Sequence, residues 1–400
     1  MANSAFNKSF YTIFVKIISY RHIIMAGIYI HVPFCKSRCI YCDFFSTTSL
    51  DFRDKYVNTV CQELKLRKGY VKGECIGSIY LGGGTPSQLE PVHIVKLLQA
   101  IKDNFVVSDD AEITLEGNPD DMTLEFLRAI HDIGINRLSM GVQSFDDSRL
   151  KFLRRRHSGE EAVNAVRRAQ ECGFKNISID LIFGFPDENM DAWDADIERA
   201  INLGIQHISA YALTYEEGTA LHKMLIENKV KEIDEELFES MYYRLTDRLS
   251  EAGFRHYEIS NFCLPGFHSR HNSSYWNGYV YLGVGTAAHS YDGNSRQWNP
   301  SDIKIYTECI DKGQECAIKE RLDRKQQYDE YIMTRLRTDT GIAIDELRKS
   351  FGEYYYTHFM KCSATLIKSG LLKISCNGKN ISLTRQGLFI SDSIIVELMA

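Results

Sequence analysis

Ile130-His131-Asp132-Ile133-Gly134-Ile135-Asn136-Arg137-Leu138-Ser139-Met140 passes from the end of an amphipathic stretch, through a glycine, into a short apolar run. The same order recurs at Ala169-Gln170-Glu171-Cys172-Gly173-Phe174 before residues 177–182, and at Ile201-Asn202-Leu203-Gly204-Ile205 before residues 207–213. Each glycine sits where a helix ends in a left-handed residue, and the apolar residue after it turns the chain back onto the core. Helix, glycine, apolar residue, strand is the punctuation of a βα series.

Outward from these junctions, strand candidates fall at 28–32, 78–81, 112–116, 137–140, 177–182 and 207–213. Between them, apolar residues recur at i, i+3 and i+4 over 52–68, 91–103, 123–133, 160–172 and 190–203. Six βα units with right-handed crossovers predict a parallel sheet. Six is short of the eight in a closed barrel, so the expected class is α/β, a partial (β/α)6 TIM-like barrel. A long amphipathic helix is expected over 234–252, and 257–262 and 279–291 read as extended and rich in Tyr and Gly. After them come helical patterns at 322–337, 343–350 and 354–368, a hairpin at 371–375 and 380–383 turned by Asn377-Gly378, and a last segment, 384–398. Helices followed by a hairpin predict a winged-helix-like C-terminal domain. The expected organisation is thus an extension at 1–24, a barrel at 25–225, a barrel extension at 226–315 and the winged unit at 316–400.

The chain has 400 residues, 44% hydrophobic and 25% charged, which excludes disordered and collagen-like architectures. Its 47 Lys+Arg against 53 Asp+Glu leave a net charge of −6, without the basic excess of a nucleic-acid binder. The winged unit is therefore read as a lid or docking module and no nucleic-acid partner is expected. Eleven cysteines at irregular spacing fit reduced thiols and a cytoplasmic location better than a disulfide framework. The apolar stretch at 10–18 holds Lys16, is followed by Arg21 and His22, and is shorter than the ~20 apolar residues of a spanning helix, so at most peripheral membrane contact is expected. Met25-Ala26-Gly27 leads straight into the first strand, and Met25 is the expected native start.

Directly after that strand stands His31-Val32-Pro33-Phe34-Cys35-Lys36-Ser37-Arg38-Cys39-Ile40-Tyr41-Cys42-Asp43-Phe44, a C-x3-C-x2-C spacing. Three thiolates on one loop hold three corners of an iron–sulfur cubane and leave the fourth iron open. A structural zinc needs four ligands, usually from paired cysteines, and no second pair follows. Leu81-Gly82-Gly83-Gly84-Thr85-Pro86 ends the second strand; its glycines admit a ligand to the backbone, and it lacks the Lys-Ser/Thr of a triphosphate loop. Glu116, Gln143 and Asp180 lie at the ends of the third, fourth and fifth strands. In a parallel barrel these ends share one face, so the polar groups, the glycine loop and the cysteine loop converge there.

From about Gly27 to the C-terminus the sequence resembles the radical S-adenosylmethionine (SAM) enzymes, within them the oxygen-independent coproporphyrinogen III oxidase group and, more closely, its haem-chaperone branch. The resemblance implies a [4Fe–4S] cluster on Cys35, Cys39 and Cys42 whose open iron takes the amino and carboxylate groups of SAM. It places SAM contacts on Tyr29, Tyr41, Gly83, Gly84, Thr85, Glu116, Gln143, Arg155, Asp180 and Ala212. It also implies an electron donor. The oxidases of this group carry a fourth cysteine two positions after the third, where this chain has Phe44, and they have a longer N-terminal arm. His271-Asn272-Ser273-Ser274-Tyr275-Trp276 resembles the H-N-x-x-Y-W signature of the chaperone branch, with His271 the candidate haem ligand, His268 and His289 its rivals, and Tyr275 and Trp276 flat faces for a macrocycle. The expected function is haem binding and transfer to an acceptor protein, with haem as cargo; SAM-dependent oxidation of coproporphyrinogen III is the alternative.

Alanine at Cys35, Cys39 or Cys42 should abolish cluster binding, because two thiolates do not retain a cubane with an already open corner. Iron and sulfide analysis of anaerobically reconstituted variants checks this, and wild-type iron content in any of them contradicts the ligand assignment.

Overall fold

The structure, a computed structural model, describes residues 25–400. The expectations for 1–24 lie outside the described residues. Six parallel strands come first: β1 (Ala26–Val32), β2 (Ile76–Gly83), β3 (Val107–Gly117), β4 (Arg137–Gln143), β5 (Ile177–Phe183) and β6 (His207–Ala212). Helices Arg53–Leu66, Pro91–Asn104, Leu124–Ile133, Gly159–Glu171 and Met190–Asn202 connect them, each within two residues of the amphipathic stretch that predicted it. Both faces of the central strands are covered; β5, Ile-Ser-Ile-Asp-Leu-Ile-Phe, has only Asp180 less than fully buried, whereas β3 begins in an acidic segment, Ser108–Asp110, with both aspartates exposed. Gly134 and Gly173 adopt φ of +107° and +93°, and the next residues, Ile135 and Phe174, donate their N–H groups back to Ile130 O (3.1 Å) and Ala169 O (3.1 Å).

The sheet does not stop at six strands. Its order, with β7 (Arg255–Glu258), β8 (Asn261–Cys263), β9 (Tyr281–Val284), β10 (His289–Tyr291), β11 (Ser295–Trp298) and β12 (Ile318–Arg321), is β12-β11-β10-β9-β1-β2-β3-β4-β5-β6-β8-β7. β9 joins β1 in parallel and β8 joins β6 antiparallel, so both barrel edges are extended and the sheet stays open. Ile318–Arg321, grouped above with the winged unit, instead pairs with β11 as an edge strand; all four residues are exposed, which hid it from a search for apolar alternation. The H-N-x-x-Y-W residues lie on a helix, Arg270–Trp276, that rests on β1 and β2.

The C-terminal part has its own core around Tyr328, Ile332, Phe359 and Leu366. Its three-stranded sheet, β13 (Ile342–Ala343), β15 (Asn380–Leu383) and β14 (Leu372–Ile374), carries the expected hairpin, and helices Arg324–Leu336, Ile344–Phe351 and Glu353–Lys368 pack on it. It is tied to the barrel by Ile259 N–H to Arg337 O (3.2 Å), Asp339 N–H to Tyr257 O (3.1 Å) and an Arg296–Glu330 ion pair (2.7 Å).

The extension strands are held by one buried ion pair. Glu63 and Arg67, 1% and 3% exposed, meet at 3.1 Å. Arg67 also donates to Gly283 O (3.0 Å), Ser290 Oγ (3.2 Å) and Gln297 Oε1 (2.8 Å). Glu63 accepts from Gly285 N–H (2.8 Å), Asn299 Nδ2 (2.8 Å) and Tyr306 Oη (2.7 Å). Such a pair is tolerated only because nearly every lone pair and proton is used. Glu63→Ala strands the Arg67 charge and should cost about 3–5 kcal/mol in urea unfolding; a loss below about 1 kcal/mol, the scale of an exposed ion pair, would show that the network does not carry the extension.

Candidate functional site

The loop after β1 is pinned so that its three thiols face the strand ends. Cys35 N–H donates to Thr47 O (2.9 Å), Thr47 N–H to Pro33 O (2.6 Å), and Lys36 pairs with the buried Asp121 (2.7 Å). Thr85 Oγ1 donates to Cys35 Sγ (3.4 Å), and Arg155 Nη1 to Cys39 Sγ (3.4 Å). Burial pushes the Cys42 thiol up to about 11, and the nearby Cys39 and Cys35 sulfurs add to the shift. Such a thiol becomes a thiolate only when a cation is there to receive it. Among the described residues no three His, Cys, Asp or Glu side chains close around a single metal ion. A cubane makes no such demand, since each thiolate goes to a different iron.

The strand ends supply the surroundings. Glu116 accepts from Tyr80 Oη (2.6 Å) and Gly83 N–H (3.2 Å). Burial, with Asp180 as a like charge, lifts its carboxyl to about 7, and burial lifts Asp180 to about 6 against hydrogen bonds from Ser209 and Ser139. The Arg137 guanidinium acts against the rise at both carboxyls, and burial outweighs it. Arg155 Nη2 donates to Asn118 Oδ1 (2.6 Å) and to Gly141 O, leaving its buried Nε without a partner. Gln143 holds φ at +70°, strained for a residue with a side chain, and the β4–β5 register shifts there. A side chain at Gly84 would meet Val32 O and Pro33 C at 2.9 Å, so only glycine lets the second loop lie against the first.

Glu116 feels the charge of Asp180 and Tyr29 that of Glu116, Gln143 Nε2 and Arg155 Nη2 both flank Gly141, and Gly84 and Thr85 lie against the cysteine loop, so these groups are neighbours at the strand ends. Tyr41 is close enough to Arg155, Cys39, Cys42 and Asp180 to feel their charges. Ala212 ends β6 opposite Phe183, and no side-chain contact ties it to the others. The donor set fits the groups that the sequence resemblance implies: three thiols on one loop with hydrogen-bond donors aimed at two of them, and two buried carboxyls whose charged form a cationic ligand would favour.

A cavity of about 720 Å³ lies between the barrel and helix Arg324–Leu336. Tyr29, His31, Phe44 and Phe45 form its floor on the cluster side; Tyr275, Trp276, Tyr281, His289 and Tyr291 its barrel wall; Tyr331, Arg335 and Phe351 its outer wall. Of the three haem candidates, Tyr275 and Trp276 line it and His271 does not. His271 is 1% exposed behind Tyr275, with Nδ1 on Ser78 Oγ (2.9 Å) and Nε2 on Tyr275 Oη (2.8 Å), and its pKa is pushed down to about 3, mainly by burial. Phe44, 65% exposed, reaches the mouth from the cluster loop. The contributions of β9–β11 and of helix Arg324–Leu336 were not identified from sequence as a wall. Only the Tyr-rich 279–291 stretch signalled them, because a wall built from segments far apart in the chain leaves no local pattern.

Comparison with known proteins agrees with this geometry. The Radical SAM superfamily matches residues 29–200, and the HemN C-terminal domain matches residues 322–390. "Heme chaperone HemW" of Mycobacterium tuberculosis is 33% identical over 93% of this chain and 94% of its own, and that of Bacillus subtilis 32% identical over 92% and 98%. The solved coproporphyrinogen III oxidase (HemN) of Escherichia coli superposes with a TM-score of 0.81 at 22% identity, over 97% of this chain and 93% of its own, a likeness of fold. With HemW relatives matching over nearly their whole length, this chain belongs to the HemW family of radical SAM proteins.

Proposed function

We propose that the protein is a haem chaperone: it takes haem into the cavity between the barrel and helix Arg324–Leu336, beside a [4Fe–4S] cluster and SAM, and passes it to an acceptor protein. The cavity is the observation that carries this reading. Its volume lies within the range of cofactor pockets, and it combines flat aromatic faces for a macrocycle with Arg296, Arg324 and Arg335 for the propionates. The HemW relatives, named as heme chaperones, support the same cargo.

Cys35, Cys39 and Cys42 would hold the cluster, and Glu116, Asp180, Arg155, Gly83, Gly84, Thr85, Tyr29, Tyr41, Gln143 and Ala212 would surround SAM. Bound together with an electron donor, cluster and SAM would supply one-electron reductive chemistry at this site. In this chain Thr85 and Arg155 donate hydrogen bonds to two of the sulfurs, those of Cys35 and Cys39, and so fix where they sit. Glu116 and Asp180 offer negative charge to the cationic end of SAM, and Phe44 and Phe45 cover the loop on the cavity side. The alternative, oxidation of coproporphyrinogen III, draws on the shared fold with HemN.

Anaerobically reconstituted protein should be brown, bind haem with a saturable Soret band, and release no vinyl product from coproporphyrinogen with SAM and reductant. Turnover to that product, or no haem binding, overturns the chaperone reading. Trp276→Ala should weaken haem by several-fold, up to about tenfold. Because Glu116 is protonated below about pH 7, cation binding there must expel a proton, and SAM affinity measured by calorimetry should rise from pH 6 to pH 8. Glu116→Gln should flatten that rise; an unchanged slope would remove Glu116 from the site.

A further inference from the structure

Two of four histidines in this region, His31 and His289, line the haem cavity, and His271 and His268 do not; their ring nitrogens differ. His31 lines it but is 4% exposed, with Nε2 on Phe45 O (3.0 Å) and Nδ1 on Tyr29 Oη (3.1 Å). His271 has both nitrogens engaged by Ser78 and Tyr275 and does not line the cavity. The exposed His268, edge-on to Tyr257 at 6.3 Å, is no part of the wall either. His289 is an exposed wall residue on β10, and among the described residues nothing hydrogen-bonds to its ring. Its ring stacks on Trp298, with centroids 6.1 Å apart and planes at 25°, which limits its rotation.

We propose that His289 is the side chain that ligates the haem iron, and that His271 of the H-N-x-x-Y-W segment is not. This rests on the reading that the cavity takes haem. An axial ligand needs a nitrogen lone pair directed into the cavity and a ring held in place. His289 has an uncommitted ring and the Trp298 stack; His271 would first have to break two buried hydrogen bonds and displace Tyr275. The chain also anchors His289 from behind. Gly283 lies so close that a Cβ there would meet His289 O at 2.0 Å, and Ser290, the next residue, is gripped by Arg67 of the buried Glu63 pair. Partial burial and the Arg296 charge lower the pKa of His289, which favours the neutral imidazole that binds iron. On this assignment His271 keeps Tyr275 against the cavity and fastens helix Arg270–Trp276 to the barrel. Its backbone N–H and that of Arg270 donate to Glu112 (3.1 Å each) at the start of that helix.

The experiment is a haem titration of the full chain with its cluster reconstituted, followed by the ferric Soret difference spectrum and low-temperature electron paramagnetic resonance. Wild-type protein should show a nitrogen-ligated ferric signal. His289→Gly should lose that signal and bind haem about 10–100-fold more weakly, and added imidazole should restore the wild-type spectrum, which a misfolded variant does not do. His271→Ala should retain the nitrogen-ligated signal even where its affinity drops. A wild-type signal in His289→Gly without imidazole, or its loss in His271→Ala alone, overturns the assignment. If the wild-type protein takes up no haem, the chaperone reading falls and the ligand assignment falls with it, a result distinct from a changed signal in a variant that still binds.

Discussion

Strand β1 is hydrogen-bonded on both sides, to β2 from Ala26 to Val32 and to β9 from Gly27 to Ile30, and the functional face is arranged around that double pairing. In a closed barrel β1 would be sealed by the last strand of the βα series. Here the neighbour comes from residues some 250 positions further along the chain, and the β9–β12 hairpins follow it outward. The cysteine loop leaves the end of β1, and β9–β11 wall the cavity, so one strand sets both the loop and the cavity. β9 itself runs parallel to β1, but the strands beyond it are antiparallel and lead away from β6, so the barrel stays open on that side and a helix of the C-terminal unit packs across the cavity.

That arrangement asks for an unusual amount of buried polarity. Residues at the turns of β9 to β11 expose carbonyls and amides that face the helix after β1, and a buried unpaired polar group costs about 1–3 kcal/mol. Glu63 and Arg67 take up Gly283, Gly285, Ser290, Gln297, Asn299 and Tyr306 together, so the extension is held as a unit. At the strand ends the same low-dielectric surroundings raise Glu116, Asp180 and Cys42 toward their neutral forms. The two regions differ in completion. The Glu63 network closes on its own counter-charge, whereas at the strand ends burial outweighs the Arg137 charge and keeps both carboxyls raised.

Much of the site is readable from residue order. Gly134 and Gly173 mark the junctions, and their left-handed backbone is required whatever packs around them. The strand-end positions of Glu116, Gln143 and Asp180 follow from the direction of parallel strands alone. His271 is different. Its segment marks a family branch, yet only the packed structure shows both its nitrogens spent, one on Tyr275 a helical turn away and the other on Ser78, which lies nearly two hundred residues away in sequence and leaves no local trace. His289 carries no motif weight, yet it stands in the cavity wall. The charged edge strand Ile318–Arg321 escaped for a related reason, since an edge strand with four exposed side chains has no hydrophobic period.

By itself, then, the order of residues determined the parallel βα series, the glycine-capped turns, the winged C-terminal unit and the three-cysteine loop, all set by local periodicity and short spacing. The tertiary structure alone decided that the sheet continues past β1 through β9 to β12, which residues close the cavity, and which histidine keeps a free ring. Those are contacts between distant segments, selected by the need to satisfy buried hydrogen bonds and cover apolar surface, and no short window of sequence holds both partners of such a contact.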